Sequence, residues 1–251
     1  MHAFTFKLQQ SCQIELLKNA WRVSVEKLDI LRTSFHFSVE AGRWAQVVHS
    51  EPDFKWTYEK RQSIDGAAKD FIRGLRFEVE DALHRPPVHL LQVSSPPHEN
   101  YLVVILHHAL YDGISLPMLF NHVKAVYKGD SPTTTEFHTL ARRMTSLEAR
   151  ATRYWQSRLE GVHPWTFPRK LSSTTDAWRT SEVVNVQREA IDRFCRRYGV
   201  SAQSIAQAAW AKVLAIRSGH LDVTYGHVVS GRTIVGSEKI IGPTFVSARS
   251  V

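Results

Sequence analysis

The sequence predicts an α/β protein of the layered α+β kind: a mixed sheet flanked by helices. Three observations carry this reading. Several short segments alternate apolar and polar residues with period two, or run apolar for five residues, as strands do. Segments of ten or more residues between them repeat apolar positions every three or four, as helices do. The breaks between the two kinds of segment fall at Gly, Pro and Ser clusters. The resulting order is β-α-β-β-α-β-β-α-α and then β-α-α-β, a pattern that builds layers.

The elements follow in turn. Ala3–Leu8 alternates and reads as a half-buried strand. Ile14 to Leu31 carries Ile14, Leu17, Trp21, Val25 and Leu28 on one helical face. Leu31–Phe37 and Trp44–Val48 read as strands joined at Ala41-Gly42, and Ala67–Phe77 as a helix with Phe71, Ile72 and Leu75 inward. His89–Val93 and Tyr101–Leu106 read as strands linked by the Ser94–Asn100 loop. Leu116–Tyr127 and Phe137–Leu159 are helical in pattern. Gly161–Trp178 has little periodicity, with Pro164, Pro168 and a Ser172–Thr175 polar cluster, and reads as a linker. Beyond it come a strand over Glu182–Val186 and a helix over Glu189–Tyr198 that Gly199 ends. A helix capped by Ser201 follows, with Ile205, Ala208, Ala209, Val213 and Leu214 on its apolar face, then a strand over Val223–Val229. This places an N-terminal lobe at 1–162, a linker at 163–180 and an incomplete C-terminal lobe at 181–251.

Composition excludes several classes. The 251 residues are 43% hydrophobic and 22% charged, which separates the chain from disordered sequences. The apolar run Leu102–Leu106 is far too short to span a bilayer, and no secretory signal pattern follows Met1. Two cysteines, Cys12 and Cys195, supply neither a disulfide framework nor a cysteine zinc site, so a reducing cytoplasm is expected. The formal net charge of +8 makes nucleic acid a candidate partner. Yet the basic residues are spread over helix faces, such as Arg142, Arg143, Arg150 and Arg153, with no stacking aromatics between them. An acidic protein partner fits the charge at least as well.

One cluster stands apart: His107-His108-Ala109-Leu110-Tyr111-Asp112-Gly113, between an apolar strand and a helix. Imidazole can take or relay a proton near neutral pH. A carboxylate four residues on can brace the turn through a cationic partner, and the glycine allows a tight backbone. Adjacent histidines on an extended chain point to opposite faces, so one of the two is expected in a given pocket. A metal held by His107, His108 and Asp112 is disfavoured, because neighbouring histidines rarely share an ion.

This cluster resembles the HHxxxDG signature of the condensation domains of nonribosomal peptide synthetases, and His108 to Asp112 the shorter HxxxD core of a wider acyltransferase superfamily. Asp29-Ile30-Leu31-Arg32-Thr33-Ser34-Phe35 is similar to the family's RHExLRTxF element, and Tyr154-Trp155 with Leu159 to its YWxxxL helix end. Gly226–Arg232 is similar to its GxxxSGR element and Gly242-Pro243-Thr244-Phe245 to its GPxFN element. The resemblance implies lobes like those of chloramphenicol acetyltransferase, and amide formation between a donor thioester and an acceptor amine. Both substrates would ride on phosphopantetheine arms of carrier proteins, with no cofactor or metal bound directly. By the same resemblance His108 orients or deprotonates the amine or stabilises the intermediate, and His107 shapes the turn. Gly113 brings its N–H near the oxyanion, and Asp112 pairs with an arginine, Arg232 before Arg32.

The chain also departs from the pattern. Lys27-Leu28-Asp29 stands where RHE is expected, and Val246 replaces the asparagine of GPxFN. The family's second lobe runs well beyond 70 residues, so the resemblance implies one lobe and the opening of another. Alternatives are a non-catalytic remnant that binds carrier proteins, and a stand-alone acyl-CoA-dependent transferase. An epimerisation domain shares the motif; a cyclisation domain would carry aspartates in place of the histidines. The run His107–Pro117 is also similar to fungal, siderophore-type synthetases.

Overall fold

The computed structural model describes residues 1–74, 84–162, 186–233 and 236–250. Chain contacts divide them into two compact units: Met1–Glu148 with Ser230–Val246, and Ala149–Val229 with Ser247–Val251.

The first unit is built on a four-stranded mixed sheet. Strands β1 (His2–Leu8), β4 (Trp56–Lys60), β5 (Val88–Ser95) and β6 (Glu99–Leu106) lie in the order β1-β6-β5-β4. The β1–β6 and β5–β6 pairs are antiparallel and β4–β5 is parallel. Leu102–Leu106 are each no more than 3% exposed, because both sheet faces are covered. That is why the strand reads as an unbroken apolar run and not as an alternation. Leu90, Leu102, Val104 and Leu106 face a core shared with Trp21 and Val25 of α1 (Ile14–Lys27) and Leu119 and Val123 of α3 (Ser115–Tyr127). Leu91, Val93, Val103 and Ile105 face Ala67, Phe71 and Ile72 of α2 (Ala67–Gly74). Each such aliphatic side chain, fully buried, contributes about 1.5–3 kcal/mol. A separate hairpin joins β2 (Thr33–Ser38) to β3 (Arg43–Val48), with β3 exposed along its length.

The mixed sheet with flanking helices is the expected fold class, and several details differ from the expected elements. The first helix stops at Lys27, and Asp29–Arg32 form a single 3-10 turn. The Asp29 carboxylate causes the break: it accepts the Ile30 N–H at 2.9 Å and, from far along the chain, the Phe137 and His138 N–H groups at 2.9 and 2.7 Å. Asp29 therefore caps α4 (Phe137–Arg158), satisfying N–H groups that the first turn of a helix leaves unpaired. Strand β4 was not expected, because it is short and only Trp56 and Glu59 are partly buried in its first four residues. The loop between β5 and β6 is shorter than expected, since pairing continues to Ser95 and Glu99. The expected helical stretch Leu75–Phe77, most of Gly161–Trp178, and Glu182–Asn185 lie outside the described residues.

The second unit holds α5 (Arg188–Tyr198), α6 (Ala202–Ser218) and β7 (Tyr225–Val229), which pairs with β8 (Val246–Ser250). Gly199 ends α5 at φ 64°, where a side chain would be strained, and the Ser201 side chain accepts the Ser204 N–H at 3.0 Å. The Tyr225 hydroxyl donates to the Gln207 carbonyl of α6 at 3.1 Å.

Candidate active site

The sheet delivers the motif. Strand β6 ends at Leu106, and its partner β5 begins beside it, so the His107 N–H donates to the Pro87 carbonyl at 3.2 Å. The His107 backbone is still extended, and its Nδ1 accepts the Ala109 N–H at 3.2 Å, which caps the 3-10 turn His108–Leu110. Burial first, then the ammonium at the chain's N-terminus, with lesser contributions from His108 and His2, hold the His107 imidazole below its ordinary pKa. His107 is thus half-buried and occupied by the turn, while His108 is exposed. The strand does not continue through the pair: only His107 keeps an extended backbone, and His108 opens the 3-10 turn.

No hydrogen bond from the His108 ring occurs among the described residues. Its neighbours are rings: Tyr111 at 4.8 Å between centroids, His2 at 5.1 Å and Phe245 at 6.3 Å. Asp112, in contrast, is saturated. Its Oδ1 accepts the N–H groups of Ile114 at 3.0 Å and Ser115 at 2.6 Å, the N-terminal turn of α3. Its Oδ2 accepts the Thr244 N–H at 2.9 Å and hydroxyl at 3.2 Å. Burial alone would raise the pKa of this carboxyl, which is 5% exposed. The bonds from Thr244 and Ser115 outweigh that effect, and with the Arg232 charge they hold it below the usual carboxylate range.

Arg232 meets Asp112 at 3.4 Å, with both side chains about nine-tenths buried. The ion pair is the smallest of the contributions to the Asp112 shift. The guanidinium is mainly a carbonyl clamp: Nη1 donates to Ser237 at 2.9 Å and Ile240 at 3.0 Å, and Nη2 to Gly242 at 3.3 Å. Arg32 lies elsewhere, donating to the His49 carbonyl. Gly113 is exposed and outside the left-handed region, and a Cβ there would meet open space. The tight backbone expected of Gly113 belongs instead to Gly231, at φ +66°, where a Cβ would sit 1.8 Å from the Thr244 carbonyl oxygen.

Sequence reasoning passed over His2, Ser115 and Thr244 as partners of the motif. Thr244 carried a signal, since it lies in the GPxF-like stretch. His2 carried none, because its place depends on the β1–β6 register, which pairs His2 with Leu106. No group of three or more His, Cys, Asp or Glu able to hold a metal occurs among the described residues.

Comparison with known proteins gives the family and the fold. The family described as Condensation domain matches residues 1–249. The chain is 32% identical over 251 residues to the nonribosomal peptide synthetase NPS2 of Ceriporiopsis subvermispora, covering 97% of this chain and 10% of that protein. It is 32% identical over 248 residues to the coprinoferrin synthetase of Coprinopsis cinerea, again 97% of this chain and 10% of that protein. Among solved structures, the condensation domain from the Monacolin K polyketide synthase MokA superposes with a TM-score of 0.70 at 19% identity. That match covers 98% of this chain and 61% of the solved one, and shows a common fold. The chain therefore spans about a tenth of the curated relatives it matches, and it belongs to the condensation-domain family.

Proposed function

We propose that the chain serves as a condensation domain of a nonribosomal peptide synthetase, joining a donor acyl thioester to an acceptor amine. Both substrates arrive on phosphopantetheine arms of carrier proteins, and nothing need be bound permanently. The observation that carries this reading is the contrast within one turn: Asp112 is locked by donors from Ile114, Ser115, Thr244 and Arg232, while His108 is exposed beside it. A carboxylate used up in hydrogen bonds is scaffolding. An imidazole held among rings, its nitrogens without a hydrogen bond among the described residues, can take a proton.

The reaction runs as follows on these residues. The amine nitrogen attacks the thioester carbonyl carbon, and His108 accepts the amine proton as the C–N bond forms. The tetrahedral intermediate collapses, the C–S bond breaks, and the thiolate leaves and is reprotonated. The open surface at Gly113 lies two residues beyond Tyr111 and gives a substrate room to approach the turn. Holding both arms together supplies a large proximity advantage.

The partners are the carrier proteins and adjacent synthetase domains, and the +8 charge suits docking on acidic carrier surfaces. The cytoplasm is the compartment proposed; no helix among the described residues is long and apolar enough to cross a membrane. Similarity to a coprinoferrin synthetase supports a siderophore-type product. The division into a lobe at 1–162, a linker at 163–180 and a second lobe from 181 is retained as part of this proposal.

The test is a transfer assay on two carrier proteins loaded with donor and acceptor aminoacyl groups, read by intact-protein mass spectrometry. Product from the wild type and none from His108→Ala is expected. Product at equal rate from both sinks the catalytic assignment, and a folded wild type that only binds carriers favours a docking remnant.

A further inference from the structure

Resting on the condensation reading, we propose that His2 is a positioning residue for His108. It holds the buried Tyr111 hydroxyl through Nδ1 and forms one wall of the His108 ring.

His108 is exposed and stands beside three rings. Its ring makes no hydrogen bond among the described residues, so packing alone fixes its direction. Of the three rings around it, two are tied together: the Tyr111 hydroxyl and His2 Nδ1 are hydrogen-bonded. Tyr111 is 5% exposed, and burial raises its pKa, so it keeps its proton. A buried hydroxyl needs an acceptor for that proton. The one it has among the described residues is His2 Nδ1. This fixes the tautomer: His2 accepts at Nδ1 and carries its own proton on Nε2.

The support behind this pair is rigid. His2 and Phe4 are alternate residues of β1 and share a face, and Phe4 packs edge-on against Tyr111 at 5.6 Å. Phe120 of α3 packs edge-on against Phe4 at 5.8 Å and against Phe6 at 5.0 Å. Strand β1 is locked to β6 by seven paired positions, from His2 with Leu106 to Leu8 with Asn100. The chain thus builds a stack from helix α3 through Phe4 and Tyr111 to His108, closed by His2. Deleting the acceptor strands the Tyr111 hydroxyl and removes a wall, so the His108 ring loses its fixed direction. Small displacements of a reacting group cost up to about a hundredfold in rate.

The experiment has two arms on the 251-residue chain. Nitrogen-15 histidine spectra report the tautomer directly. His2 is expected as the Nε2–H form in the wild type, moving to a mixture of tautomers in Tyr111→Phe. In the carrier transfer assay, His2→Ala is expected to lose about tenfold or more in kcat with KM for the loaded carriers unchanged, from protein that still folds. His2→Asn, which keeps an acceptor near the Nδ1 position, should recover part of that loss. The His2→Ala, Tyr111→Phe double variant should be no slower than the worse single one. A His2 spectrum insensitive to Tyr111→Phe overturns the proposal. So does a His2→Ala protein as fast as wild type while His108→Ala is inactive, and that result leaves the condensation reading standing. A wild type without product overturns both together.

Discussion

Acid should weaken the first unit through one histidine on β5. His89 sits opposite Ile105 of β6, is 8% exposed and lies edge-on to Phe71 of α2 at 6.1 Å. Burial first, then the Lys55 ammonium, with Asp53 opposing, lower its pKa to about 4 from the ordinary 6.5. The direction follows from linkage. As pH falls, the unfolded chain takes up this proton first, so stability drops between about pH 6.5 and pH 4. A gap of about 2.5 units is about 3 kcal/mol when fully expressed near pH 4, and about 2 kcal/mol at pH 5 relative to pH 7. His89→Leu removes the titration while keeping an apolar group under α2. The assay is urea unfolding at pH 7, 6 and 5, followed by the fluorine resonance of 19F-labelled Trp21, which is buried in the same unit. The baseline stability of His89→Leu is immaterial; the quantity is the difference in pH slope. Wild type should lose about 2 kcal/mol more than His89→Leu on going from pH 7 to pH 5. Parallel slopes would refute the reasoning, since they would mean that His89 protonates as readily folded as unfolded.

Four further outcomes are expected. His122 of α3 is 4% exposed with neither ring nitrogen hydrogen-bonded among the described residues, and burial lowers its pKa. His122→Leu should therefore stabilise the chain by about 1 kcal/mol at pH 7 and by more below pH 6.5, in the same urea assay; destabilisation would indicate a bound water on the imidazole. Asp112→Asn should cost about 3 kcal/mol in urea unfolding, because an amide nitrogen cannot accept the Thr244 N–H and hydroxyl and the buried Arg232 charge is left unbalanced, and should abolish product formation with it. Gly231→Ala should cost more than about 2 kcal/mol by the same measurement, combining a left-handed backbone with a Cβ 1.8 Å from the Thr244 oxygen. Asp29→Ala should cost about 1–2 kcal/mol and speed amide hydrogen exchange at Phe137 and His138, whose N–H groups it caps.

Local chemistry made most of the fold legible. The five-residue apolar run of β6 announced a strand, and the period of Leu17, Trp21 and Val25 announced α1. Gly199 and Ser201 marked a helix end and the next start because their reasons are local. The misses are equally physical. The end of α1 could not be read from its own periodicity, since the carboxylate that interrupts it is held by α4, more than 100 residues away. Strand β4 exists because β5 offers a parallel edge to it, and parallel pairing leaves little local trace.

The same division runs through the site. The motif could be read because its chemistry is packed into seven consecutive residues. What fixes each residue could not, because the partners come from three places in the chain. Thr244 and Arg232 return from more than 110 residues away to fill Asp112, and His2 reaches His108 across a strand pair. The arginine expected as a simple counter-ion spends most of its donors on the carbonyls of Ser237, Ile240 and Gly242, and that shapes the 237–242 segment before Thr244. Asp112 and Arg232 therefore act as one knot. The arginine sets the path of the 237–242 segment, that path brings the Thr244 N–H to the carboxylate, and the carboxylate, two residues after the turn that carries His108, fixes the start of α3. A substitution anywhere in this knot should move His108 without touching it, which is why loss of activity at Asp112 or Arg232 alone cannot assign either a chemical role.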